Sequence, residues 1–125
     1  PNPKQIIKGI NGLRQLRITR RDISLKIQGL IRHVEFTVLE VICRYYEEVD
    51  GVDVNVLRLM FERLEDDNPS CAERVVEFFF SQEIKDLQIL TGLVRMLGSR
   101  RADVRKNIVE ILSSQEVILS SSKKR

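Results

Sequence analysis

The stretch VVEFFFSQEI at residues 75–84 returns in altered form as IVEILSSQEV at residues 108–117. The two stretches are 33 residues apart, and each runs from an apolar pair and a glutamate to a closing Ser-Gln-Glu. Self-similarity at a fixed period of roughly 20–50 residues is typical of repeat proteins, in which each copy is one supersecondary unit. The first copy differs from the second by an additional phenylalanine, Phe80.

The same offset of 33 residues aligns apolar positions over most of the chain. Within each copy these positions recur at steps of three and four residues, which indicates helices and not strands. The pattern therefore predicts two helices per copy. Six columns stay apolar in three successive copies: Ile27, Met60 and Leu93; Ile31, Leu64 and Leu97; Val38, Cys71 and Val104; Ile42, Val75 and Ile108; Cys43, Val76 and Val109; Tyr46, Phe79 and Leu112.

Turn and capping residues set the predicted helix boundaries. Asp67 or Asn68 is expected to cap a helix that carries Pro69 in its first turn. The predicted helices lie at 3–16, then in pairs at 20–33 with 36–48, 53–65 with 69–80, and 84–98 with 102–114.

A lone pair of helices cannot bury its apolar face, so such units stack on their neighbours. We therefore predict an all-α chain of about seven helices, arranged as a right-handed αα superhelix. The prediction comprises a single repeat domain at 1–119, with a half-unit near 3–16 and units near 20–48, 53–80 and 84–114, followed by a polar basic tail at 120–125.

The stretch GLVRMLGSRRADVRKNIVEILSS at residues 92–114 resembles an armadillo or HEAT repeat. The resemblance implies an αα solenoid whose second helices line a groove that binds extended peptides. Ser114 and Glu110 stand where the groove asparagine and tryptophan of importin-type peptide binders would lie. The resemblance therefore implies a protein-interaction scaffold without importin-type recognition.

A second stretch, LRQLRITRRDISLKIQGLIRHVEF at residues 13–36, is similar to the TFIIS N-terminal domain. That family is a helical module which binds short disordered motifs in transcription factors. The similarity implies an alternative function as a transcription-related or nucleic-acid-associated helical module.

The composition is that of a globular protein: 125 residues, of which 42% are apolar and 31% are charged. The sequence has no apolar run long enough to span a membrane and no signal-peptide pattern. We therefore expect an intracellular location, cytoplasmic or nuclear, and no membrane partner. Because the chain starts at Pro1 without a methionine and stops in SSSKKR, we also expect it to be a piece of a longer protein.

Charge is distributed unevenly along the chain. Residues 1–33 carry eight Lys or Arg against one Asp, residues 34–99 carry six against fourteen acids, and residues 100–125 carry seven against three. Aromatic residues that would stack on bases are not interleaved with the cations, so acidic peptides or the acidic faces of adjoining repeats are favoured over nucleic acid as partners. Two basic patches are predicted, one from Arg14, Arg17, Arg20 and Arg21, and one from Arg100, Arg101, Arg105 and Lys106.

The residues offer little for catalysis or for cofactor and metal binding. His33 is the only histidine, and no His/Cys/Asp/Glu cluster has metal-ligand spacing. Cys43 and Cys71 stand in columns otherwise filled by valine, which predicts buried apolar residues and not a redox pair. The acidic stretch ERLEDDNP at residues 62–69 lacks the ligand pattern of a calcium loop and is interpreted as a helix-capping turn. We expect a protein without enzymatic activity, cofactor or metal.

Positions on the second helices that lie outside the buried columns are the candidates for partner contact. Phe80 is apolar in a column that is otherwise polar, with Glu47 and Ser113 as its counterparts. The predicted partner-binding residues are Phe80, Glu73, Glu77, Arg44 and Glu47. We expect a helix or an extended segment of a partner to bind with Phe80 as the anchor. Two alternatives remain open: Phe80 as the edge of the core, and the whole chain as a structural or self-associating segment of unspecified oligomeric state.

Overall fold

A computed structural model describes residues 2–16, 21–48 and 52–123. These ranges contain seven α-helices and no strand, which confirms the prediction of an all-α chain with seven helices. A single turn of 3-10 helix at Arg63–Glu65 follows the fourth helix. The helices are α1 (Pro3–Leu16), α2 (Arg21–Gln28), α3 (Phe36–Glu47), α4 (Val54–Glu62), α5 (Pro69–Phe80), α6 (Leu87–Met96) and α7 (Ala102–Lys123).

Side-chain caps explain where three of the helices begin. The side chains of Asp53, Asn68 and Asp86 accept hydrogen bonds at 2.8–3.2 Å from backbone amides in the first turns of α4, α5 and α6. Such caps satisfy amides that have no partner within the helix. Pro69 occupies the start of α5 as predicted, and Asn68, not Asp67, is the cap.

The last two helices differ from their predicted bounds, as does α2, which ends at Gln28 and not at 33. α6 begins at Leu87 and not at 84, whereas α7 continues to Lys123, so the predicted helix end at 114 is wrong. The first residue past that predicted end, Gln115, has a buried side chain that is bonded to the backbone between α5 and α6. Residues 120–123, predicted as part of a polar tail, thereby belong to α7.

The chain divides into two compact units, and the first is Pro1–Arg63. In this unit α1 packs against α3, and α2 packs against α4. The hydroxyl of Tyr46 donates to the carbonyl of Ser24 at 2.8 Å, and the Cys43 Sγ lies 4.0 Å from the Met60 Sδ. The core of the unit consists of Ile10, Ile27, Ile31, Val38, Leu39, Val41, Ile42, Cys43, Tyr45, Tyr46, Val56, Leu57 and Met60.

The second unit is Leu64–Arg125, in which α7 packs against both α5 and α6. Phe78 and Phe79 are buried next to each other, edge to face, with ring centroids 5.6 Å apart. The core of this unit consists of Leu64, Cys71, Ala72, Val75, Val76, Phe78, Phe79, Ile84, Ile89, Leu93, Met96, Val104, Ile108 and Ile111.

Burial follows the repeat columns in the first two copies and departs from them in the third. Every column residue of the first and second copies is buried. In the third copy Leu97 and Val109 are exposed and Leu112 is half-buried. The six apolar columns are therefore fully buried in the first two copies and partly exposed in the third.

Candidate partner-binding surface

The exposed side of α5 carries three of the predicted partner-binding residues. Glu73, Glu77 and Phe80 are spaced by four and three residues, so the helical period places them in one line. All three side chains are exposed, and Phe80 has 42% of its surface open to solvent. We call these three residues the α5 face.

The exposure of Phe80 follows from its place in the run of three phenylalanines. Phe78 and Phe79 are fully buried in the core of the second unit. The next residue is rotated by about 100° around the helix axis, which turns the ring of Phe80 away from that core. The repeat columns predicted the burial of Phe79, and the structure confirms it. A binding role for Phe80 stays a prediction.

The charges of the α5 face are negative. The Glu77 carboxylate lies 3.7 Å from the guanidinium of Arg74, whose own side chain is largely covered. Glu73 is exposed one turn before Glu77. Because the carboxylates of the α5 face are open to solvent and lie in line with an accessible ring at its end, the face suits a partner segment that combines an apolar side chain with cations.

Arg44 and Glu47 lie together on α3, in the first unit. Arg44 is exposed and forms an ion pair with Glu40 at 2.7 Å, one helical turn away. Glu47 is half-buried. Of the five predicted partner-binding residues, three therefore share a face of α5 and these two share a face of α3.

The first basic patch is described only in part. The guanidinium of Arg14 donates to both carboxylate oxygens of Glu48, at 2.8 and 3.1 Å, and to Asn11 at 3.0 Å. The hydrogen bond to Glu48 is the main cause of the raised pKa of Arg14. Arg17, Arg20 and the side chain of Arg21 lie outside the described residues.

In the second basic patch, Arg101 links the start of α7 to the turn that precedes α5. Its guanidinium pairs with Asp103 at 2.8 Å and donates to the carbonyls of Glu65 and Asp66 at 3.0 and 3.4 Å. The hydrogen bond from Arg101 lowers the pKa of Asp103. The Arg101 guanidinium also lies 3.9 Å from the Asp67 carboxylate, so opposite charges that are far apart in the sequence meet in the fold.

The other members of the second patch differ in whether they bind the backbone of the chain itself. Arg105 donates to the carbonyl of Ser99 at 2.6 Å, where the loop enters α7. Arg100 and Lys106 are exposed. Arg101 and Arg105 thus contribute to the local structure of the second unit, while Arg100 and Lys106 present their charges to solvent.

Sequence reasoning missed two buried polar side chains that carry structural roles. Arg63 is 8% exposed and donates to the carbonyls of Ile31 and Val34 at 2.6 and 3.1 Å. Gln115 binds the turn between α5 and α6. The repeated Ser-Gln-Glu was a signal for Gln115, whereas the sequence around Arg63 resembles that of an ordinary exposed cation.

Other residues considered for chemistry take the following places. His33 is exposed in the turn after α2, and Cys43 and Cys71 are buried, which confirms their predicted burial. Within the part of the chain that the structure describes, no group of three or more His, Cys, Asp or Glu residues is arranged to hold a metal ion. None of the described helices is long and apolar enough to cross a membrane.

Comparisons of the chain with models of known families, with curated proteins and with solved structures find no significant match in any of the three.

Proposed function

We propose that this chain is a non-catalytic protein-interaction scaffold of the armadillo or HEAT kind, which binds a helix or an extended segment of a partner protein on the α5 face. The observation that carries the proposal is Phe80, an accessible aromatic ring at the end of a helix face that otherwise carries carboxylates. Aromatic residues at interfaces supply a large contact area and are frequent energetic hot spots.

The helix pairing supports a stacked αα architecture. Each copy of the repeat has a first and a second helix, and α1 corresponds to a second helix. The second helices of successive copies pack together, as α1 with α3 and as α5 with α7. The first helices of successive copies pack together as α2 with α4. Pairing of equivalent helices in successive copies is expected for a right-handed αα superhelix, in which each unit buries the apolar face of the one before it.

In the expected binding mode, the ring of Phe80 supplies most of the binding free energy and the carboxylates orient the partner. Complete burial of a phenylalanine side chain contributes roughly 1.5–3 kcal/mol. Solvent-exposed ion pairs contribute about 0–1 kcal/mol each, so Glu73 and Glu77 would orient a basic segment more than they would hold it. The partner is therefore expected to present an apolar side chain to Phe80 and Lys or Arg to the two glutamates.

The nucleic-acid alternative has less support from the arrangement of the cations. Arg14, Arg101 and Arg105 are engaged with carboxylates or backbone carbonyls of the chain itself. Phosphate binding depends on several accessible cations and weakens steeply with added salt. Among the described cations of the two predicted patches, Arg100 and Lys106 are exposed and take no part in the contacts given above.

Affinity capture from a cell lysate tests the proposal, with the wild-type chain, Phe80→Asp and Leu16→Asp as baits. Leu16 is the matched control because it is an exposed apolar residue on another helix, α1. We expect a nuclease-resistant protein partner that is captured by the wild type and Leu16→Asp and lost with Phe80→Asp. Capture that is equal for all three baits, or that disappears with nuclease or moderate salt, would contradict the proposal.

A further inference from the structure

The repeated tripeptide Ser-Gln-Glu lies in different structures in its two copies. The first copy, at residues 81–83, follows the last residue of α5, whereas the second, at residues 114–116, lies within α7. The same three side chains are thus presented to solvent in two different ways. A protein that recognises this tripeptide can therefore distinguish one copy from the other.

The serine and glutamine of the first copy are accessible. Ser81 is exposed at the end of α5, and residues 82–86 belong to no helix or strand. The Ser81 hydroxyl donates to the carbonyl of Phe78 at 2.9 Å and accepts from the side-chain amide of Gln82 at 3.1 Å. Connecting segments on the surface often carry the residues that other proteins recognise. The hydroxyl and the neighbouring amide can both be reached from solvent.

The serine and glutamine of the second copy are enclosed by the fold. Ser114 is half-buried, and its hydroxyl donates to the carbonyl of Ile111 at 2.6 Å, within the same helix. Gln115 is 6% exposed, and its side-chain amide is bonded to the backbone that follows α5. A protein that binds this glutamine would have to unwind α7 and break those bonds. The second copy is therefore a control of identical sequence for the first.

A serine followed by a glutamine suits an enzyme that selects its substrate through the amide. The glutamine side chain offers both a hydrogen-bond acceptor and donors. A pocket built to satisfy these groups rejects a side chain that lacks them, because its own polar groups would then stay unpaired. Phosphoryl transfer to a serine depends mainly on such positioning of the hydroxyl and on electrostatic stabilisation of the transferred group.

We propose that Ser81 is a phosphorylation site for a protein kinase that recognises glutamine directly after the phosphoacceptor. In the reaction the Ser81 Oγ forms a bond to the γ-phosphorus of ATP, and the bond from that phosphorus to the departing ADP breaks. The hydroxyl proton passes to a carboxylate of the kinase. This assignment does not depend on the function proposed for the α5 face.

A phosphate on Ser81 would change the charge at the end of the α5 face. Phosphoserine carries a charge of about −1.5 to −2 at pH 7. Ser81 directly follows Phe80 and comes four residues after Glu77, which is one helical turn. The α5 face would therefore become more negative beside its aromatic ring. An effect on partner binding rests on the proposed function, whereas the phosphoacceptor is tested without any partner.

Phosphate incorporation into the folded full chain tests the assignment. The chain is incubated with ATP and a purified protein kinase selective for glutamine after the phosphoacceptor, and the modified residue is located by mass spectrometry. We expect phosphate on Ser81 in the wild type and in Ser114→Ala, and no phosphate on the chain in Ser81→Ala. Ser81→Thr keeps a hydroxyl and is expected to be phosphorylated, which separates loss of the phosphoacceptor from loss of the fold.

Gln82→Leu tests recognition through the amide while both serines remain. We expect the initial rate of phosphorylation to fall at least about tenfold, because the kinase pocket would lose its hydrogen-bonding partner. No incorporation into the wild type would overturn the proposal. Modification of Ser114 as fast as that of Ser81, or an unchanged rate in Gln82→Leu, would overturn it as well.

Discussion

The side chain of Gln115 binds the backbone of Ile84: the Ile84 amide donates to Oε1 at 2.9 Å, while Nε2 donates to the carbonyl of Gln82 at 2.7 Å. Ile84 closes the first copy of the repeated stretch and Gln115 belongs to the second. The two copies are therefore joined by hydrogen bonds as well as related by sequence. These hydrogen bonds hold the connection between α5 and α6 against α7. That connection directly follows Phe80.

Replacement of Gln115 by leucine is predicted to destabilise the chain by about 1–3 kcal/mol, because the Ile84 amide and the Gln82 carbonyl would lose their partner in a buried site. The unfolding free energy from urea denaturation measures the effect. Gln82→Leu is the matched control, since Gln82 stands at the equivalent position of the first copy and its side chain donates to Ser81 near the surface. We expect the control to change stability by less than about 0.5 kcal/mol. Equal effects of the two substitutions would refute the structural role of Gln115.

Replacement of Arg63 by methionine is predicted to cost about 1–3 kcal/mol of unfolding free energy, because two carbonyls in the turn after α2 would lose a charged donor. Arg32→Met is the control, since Arg32 and Glu62 form an ion pair at 2.8 Å with both side chains about half exposed. Exposed pairs of this kind contribute about 0–1 kcal/mol. Chemical denaturation compares the two variants, and a larger loss for Arg32→Met would show that the buried contact has been misjudged.

Ionisation of Tyr46 is predicted to lower stability in alkaline solution. Burial is the main cause that raises the pKa of Tyr46 from 10.0 to about 12, while the hydrogen bond to Ser24 acts in the opposite direction. Because the folded pKa lies above the unfolded one, the contribution is complete below pH 10 and is lost as the pH rises toward 12.

Urea unfolding at several pH values across that window measures the loss, with Tyr46→Phe as the control. The phenylalanine variant is expected to show a shallower decline, since it cannot ionise at this position. If the two proteins lose stability in parallel between pH 10 and 12, Tyr46 is not the responsible group.

Local patterns in the sequence were sufficient to predict the helices and most of the core. Helical spacing identified the buried columns, and the Asn68-Pro69 pair identified the start of α5. The burial of Phe79 followed from its place in an apolar column.

Features that depend on contacts distant in the sequence could not be predicted in this way. The burial of Arg63 depends on carbonyls about 30 residues earlier, and the hydrogen bonds of Arg101 to backbone carbonyls depend on a turn about 35 residues earlier. The exposure of Leu97 and Val109 was missed for a related reason. An apolar column shows that the residues at a position can be buried, but burial also requires a neighbouring element that covers them.

Photocrosslinking from position 80 tests the central functional claim most directly, because it reports contact with a partner and not an indirect effect on folding. Benzoylphenylalanine replaces Phe80 in one protein and Leu16, the exposed apolar control on α1, in another. We predict that irradiation in lysate yields a discrete covalent adduct with a partner protein from position 80 and none from position 16. No adduct from position 80, or the same adducts from both positions, would contradict the assignment of the α5 face as the binding surface.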